Sequence, residues 1–162
     1  MVVPNSITLA LVQTEELPAA FAWAETARVS LSWNAELLQL RAVFSQRATG
    51  EQFYLQGTLD GYKALPPVWT FFDPAWQTGG QKAHFPATAS LPGSLGSIFH
   101  SSPVICAPFN RLAFQQHGGP HADWGGPEQW LRAGAGYVQA LTLADMLAVI
   151  ARDMNYSNGR MG

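Results

Sequence analysis

"FYLQGTLDGYKALPPVWTFF", residues 53–72, reads as two short strands separated by a turn. Phe53, Leu55 and Leu59 recur with a period of two, which puts them on one side of an extended chain. "DGYKALPP" then turns the chain, and "VWTFF" (68–72) is a β-branched and aromatic run suited to a pleated, half-buried surface. Pro66 and Pro67 lack N–H groups, so they set the approach to this second strand and cannot lie inside a central one.

Working outward, "RATG" (47–50) supplies a turn with Gly50 where positive φ is tolerated, and "LLQLRAVF" (37–44) alternates Leu38, Leu40, Ala42 and Phe44 onto one face. "RVSLSW" (28–33) alternates Val29, Leu31 and Trp33. The spacing therefore predicts a four-stranded antiparallel meander. Ahead of it, Thr14 is positioned to cap a helix through about Ala27, with Glu15 and Glu16 at the positive end of its dipole, Pro18 in its first turn, and Leu17, Phe21 and Ala24 on one face. Behind it, residues 73–96 and the Gly-rich, aromatic stretch 118–136 show no regular period. Thr142 with Asp145 resembles a capping box, and Leu143, Met146, Leu147, Ile150 and Met154 recur at helical spacing. "NYSNGRMG" is expected to fray. Helix, four strands, irregular middle and helix make an α+β protein, one domain over residues 1–162 with its core at about 14–154.

Composition narrows the function. Hydrophobic residues are 48% and charged residues 12% of the 162, which excludes a disordered chain. Nine Lys and Arg against eleven Asp and Glu give a net charge of −2 with no basic stripe, so nucleic acid is not an expected partner. No apolar stretch approaches the roughly 20 residues of a membrane helix, so no membrane partner is expected. The N-terminus fits a secretory signal badly, and a lone cysteine forms no internal disulfide; both favour the cytoplasm.

That cysteine, Cys106, lies in "SSPVICAPFNRLAF" (101–114), between Pro103 and Pro108. Three stretches together resemble the ubiquitin-conjugating enzymes, which carry a ubiquitin-like protein as a thioester between an activating enzyme and an acceptor amine. "FYLQGTLDGYKALPPVWTFF" is similar to the family's third strand, Tyr-Pro-rich turn and fourth strand, through Tyr62, Pro66, Pro67 and Val68. "SIFHSSPVICAPFNRLAF" is similar to its active-site region, with Ile105-Cys106 where the active-site cysteine belongs. "VQALTLADMLAVIARDM" is similar to the helix that follows. The resemblance spans roughly residues 14–154. The family's His-Pro-Asn is absent, since His100 is followed by Ser101 and Ser102, and the segment before the cysteine is longer than in the eukaryotic enzymes. These departures resemble the divergent prokaryotic branch, found in bacterial operons with a ubiquitin-like protein, an activating enzyme and a deconjugating metalloprotease, some serving antiphage defence.

The resemblance implies that Cys106 accepts the C-terminal glycine of a ubiquitin-like protein from an activating enzyme and passes it to an amine, such as a lysine, of a target protein, with no cofactor. A thiol of ordinary pKa is already partly thiolate near neutral pH, so this exchange needs no built-in base. Aminolysis builds negative charge on the carbonyl oxygen; Asn110 and His100 are the nearest polar candidates in sequence to stabilise it, with the Ser101 or Ser102 hydroxyl as a further donor. His117, His121 and Asp123 sit in a Gly-rich loop that would help deprotonate the attacking amine if it folds over the site.

Plainer readings stand beside these. Free cysteine is among the most buried residue types, His100 suits a satisfied core position, and Asn110-Arg111 suits the closing of a turn. The three-residue gap between His117 and His121 occurs in zinc sites, but one cysteine leaves a structural site short of four ligands, so no metal is expected. Two other functions compete: a non-catalytic relative that binds a ubiquitin-like protein, and a cysteine hydrolase pairing Cys106 with His117 or His121.

Overall fold

The computed structural model describes residues 3–94, 96–115, 124–133 and 138–161. Four strands form as the alternation requires: β1 (Ser30–Asn34), β2 (Gln39–Ser45), β3 (Gln52–Thr58) and β4 (Val68–Phe72). They pair antiparallel in the order β1-β2-β3-β4, so each strand neighbours the next in sequence. The register sets Ala42 opposite both Leu31 and Leu55, and Leu55 opposite Phe71, which builds one apolar face. Gly50 turns the β2–β3 connection at φ 72°. Gly57 has a different reason to be glycine: it pairs with Trp69, and a Cβ there would lie 2.5 to 2.8 Å from the indole ring.

The first helix departs from expectation. Helix begins at Asn5 rather than after Thr14, running as α1 (Asn5–Leu11), a π-wound turn (Val12–Glu16) and α2 (Leu17–Ala27). Pro4 sits at the N-cap position, and Thr14 lies inside the helical run. The physical reason is Pro18, which has no N–H to donate backwards and whose ring crowds the preceding turn; a π turn just before it lets the helix continue. Val12, Leu17, Ala20 and Ala24 form the buried stripe, while Phe21 is exposed.

The C-terminal helix α3 (Leu143–Asn155) matches its pattern, with the Thr142 hydroxyl accepting from the Asp145 N–H and Leu143, Met146, Leu147, Ile150 and Met154 all buried. Its apolar face joins α2 and the sheet face in one core, including Leu40, Phe44, Phe53, Leu55, Trp69 and Phe71. Glu16 is buried at the junction, where its carboxylate accepts from the Tyr62 hydroxyl at 2.7 and 2.8 Å and from the Leu143 N–H at 2.9 Å, and pairs with Lys63 at 3.4 Å. A carboxylate at the first N–H of α3 complements the helix dipole. The same carboxylate raises the Tyr62 hydroxyl pKa, after burial as the larger cause.

The described residues after α3, 156–161, do not fray. Ser157 bridges Ala89, Arg160 bridges Pro86, and Met161 is buried with its N–H on the Phe85 carbonyl. The Gln46 side chain, itself buried, donates to the Met154 carbonyl at 3.1 Å and to the Ser157 carbonyl at 2.5 Å. These backbone groups have partners far away in sequence, as much as 111 residues for Gln46 and Ser157, which residue-by-residue reading cannot foresee. The structure is thus α+β: an N-terminal helix, a four-stranded antiparallel sheet and a C-terminal helix.

Candidate functional site

Beyond β4 the described residues form no further strand before α3, and short 3-10 turns stand at Lys82–His84, Pro92–Ser94, Arg111–Phe114 and Pro127–Gln129. Such a path must satisfy its backbone polar groups one at a time. Phe99 and Ile105, both fully buried, form an isolated antiparallel bridge that closes the turn 100–104. The Cys106 N–H, next after the bridge, donates to the Ile98 carbonyl at 2.8 Å.

Asn110 fastens this segment to the sheet. Its side chain is fully buried; the amide oxygen accepts from the Trp69 N–H at 2.9 Å and the Leu112 N–H at 3.3 Å, and the amide nitrogen donates to the Ile105 carbonyl at 2.9 Å. Arg111 continues the attachment, its backbone N–H on the Pro67 carbonyl, its Nε on the Pro66 carbonyl and its guanidinium paired with Asp60 at 3.1 Å. The double proline, which cannot donate, therefore serves as an acceptor platform that Arg111 reads, while Asn110 bonds the Trp69 N–H two residues on. Pro66-Pro67, β4 and the cysteine segment are one assembly.

A second attachment was not anticipated from sequence. Asp153 of α3 is fully buried, and its carboxylate accepts from the Ile98 N–H at 2.8 Å and from Arg152 at 2.9 and 3.1 Å. The sequence signal is a carboxylate beside Met154 on the apolar stripe of a helix, where a charge persists only when paired. Ile98 thus donates its N–H to Asp153 and accepts the Cys106 N–H on its carbonyl.

Cys106 itself is half-buried, against a small cluster of Ala113, Trp124 and Ala133 that is separate from the main core, with Phe114 on the same cluster. Burial pushes the thiol pKa above its ordinary value. The thiol is neither sealed in the core nor fully open. His100 is exposed, on the turn side of the Phe99–Ile105 bridge, whereas Cys106 follows that bridge. Ser101 and Ser102 are also exposed. The structure therefore joins Cys106 and Asn110 through the Ile105 carbonyl. His117, His121 and Asp123 lie outside the described residues. Among the described residues no group of three or more His, Cys, Asp or Glu is arranged to hold a metal ion, and no helix is long and apolar enough to cross a membrane.

No family model, curated protein or solved structure matches the chain. Its function has to be argued from the site.

Proposed function

We propose that this chain is a conjugating enzyme for a ubiquitin-like protein, of the divergent prokaryotic type and with the ubiquitin-conjugating fold. The Cys106 thiolate attacks the thioester carbonyl that joins the ubiquitin-like C-terminal glycine to the activating enzyme, and that enzyme's thiolate leaves. A target amine then attacks the new Cys106 thioester; the amide forms, the Cys106 thiolate departs and the amine proton passes to solvent or a neighbouring base. Both steps exchange acyl groups without redox change. His117, His121 and Asp123 are the candidates for proton handling, His100 is the candidate donor to the developing oxyanion, and Asn110 supports the loop.

The observation that carries the reading is a lone, half-buried thiol on an irregular segment beyond β4, with its backbone fastened to the sheet by Asn110. Such a segment holds a nucleophile in place while leaving one side for a visiting polypeptide tail. The order of N-terminal helix, antiparallel meander, cysteine segment and C-terminal helix supports it further.

Mixing the chain with ATP, a cognate activating enzyme and a ubiquitin-like protein should give a covalent adduct that thiol reductants remove. Cys106→Ser should give a reductant-resistant oxyester or no adduct, and an undiminished adduct in Cys106→Ala excludes this assignment. One observation favours the non-catalytic alternative: burial raises the thiol pKa rather than lowering it. Binding of the ubiquitin-like protein with no adduct under any condition would decide for that alternative.

A further inference from the structure

We infer that Asp153 is a positioning residue for Cys106, holding the strand-like arm 98–99 on which the cysteine's own backbone hangs. The inference rests on the proposed reaction for its functional meaning, though its geometry does not. Three linked contacts carry it: Asp153 carboxylate to Ile98 N–H at 2.8 Å, Ile98 carbonyl to Cys106 N–H at 2.8 Å, and the Phe99–Ile105 bridge between them.

Each contact has few substitutes. Ile98 is almost fully buried, so an N–H released by Asp153 has little access to water and is left without a partner. A carboxylate acceptor is about twice as strong as a neutral one, which favours a fixed arm over a fluctuating one. Arg152, partly exposed beside it, balances the buried charge. Asn110 grips the segment from β4 through Ile105, and Asp153 grips it from α3 through Ile98. The two side chains hold the residues on either side of the bridge from different elements of the core, so removing one leaves the segment hinged on the other. A nucleophile that drifts by about 1 Å loses up to 10²-fold in transfer, while a small electrophile needs no such alignment.

The test uses the single thiol, which makes alkylation by iodoacetamide specific for Cys106: an S–C bond forms and iodide leaves. Asp153→Ala, assayed well below its unfolding temperature, should alkylate faster than wild type with a midpoint at lower pH, as the half-buried thiol becomes exposed. Thioester formation should meanwhile fall about tenfold or more. Ile150→Ala, on the same helix face and destabilising by core loss alone, should leave the alkylation profile of the folded protein unchanged. An Asp153→Ala profile equal to wild type, or the same change in Ile150→Ala, overturns the inference. If Asp153→Ala does not fold, Asp153→Asn decides by amide exchange: protection of the Ile98 and Cys106 N–H groups should fall together, and a Cys106 amide as protected as in wild type overturns it. A wild-type chain that forms no thioester would defeat the proposed function while leaving the alkylation comparison to decide the positioning role.

Discussion

The meander over residues 30–72 and the irregular path over 73–142 meet the same backbone obligations by opposite means. In the sheet, N–H and C=O groups satisfy one another in a ladder, and side chains only choose which face is buried. In the irregular path, single buried polar side chains do this work: Asn110 for Trp69, Leu112 and Ile105, Asp153 for Ile98, Gln46 for the carbonyls that end α3. The lesson is that a ladder spreads its stability over many equal bonds, whereas the cysteine segment concentrates it in a few residues.

The largest effect should come where the two regions share an anchor. Phe71 of β4 stacks edge-on against Phe53 of the sheet and against Phe85 and Phe99 of the irregular path. Phe71→Ala should cost about 3–5 kcal/mol by denaturant unfolding and lower both regions together. Separate transitions for sheet and path would show that the anchor is not shared. Asn110→Ala should cost about 2–4 kcal/mol, because it orphans buried partners, while Ser32→Ala on the exposed side of β1 should stay within about 0.5 kcal/mol. Equal costs for these two would break the comparison.

Gln46→Ala should cost about 1–3 kcal/mol, and amide exchange at Ala87, Ser90 and Met161 should rise more than exchange in β2 or β3. The smallest effect is in pH. Because the folded thiol pKa is raised, the unfolded chain loses its Cys106 proton first as pH rises. That contribution to stability is therefore complete below the ordinary thiol pKa and fades as pH climbs through it toward the folded value. Cys106→Ala should lose this alkaline slope in unfolding measured against pH; a slope unchanged by the substitution would remove burial as the cause.

The same contrast explains what could be read from the chain in advance. Alternation at Leu40, Ala42 and Phe44, the Gly50 turn and the Thr142 cap are local signals, and each stands where its spacing puts it, whereas Leu38 is buried from a left-handed turn at φ 50° just before β2. Cys106 stands out by its chemistry and Asn110 by its nearness, though the buried Asn110 amide holds the loop rather than standing open to an oxyanion. What escaped is non-local. Glu16 looks like a first-turn acid of a helix, yet its partner is the N–H of Leu143, 127 residues away. Asp153 stands on the apolar stripe of its helix with nothing nearby in sequence to name Ile98 as its partner, and the tail beyond Asn155 looks free until residues 85–89 give it somewhere to pair.

The contact between Gly57 and Trp69 carries a consequence for recognising kin. With ring atoms 2.5 to 2.8 Å from where a Cβ would stand, the two positions cannot vary independently. A side chain larger than hydrogen at position 57 requires the buried indole of Trp69 to shift, and a smaller side chain at position 69 removes that constraint. That paired mark, together with a double proline one step ahead, is a fingerprint that can outlast overall similarity.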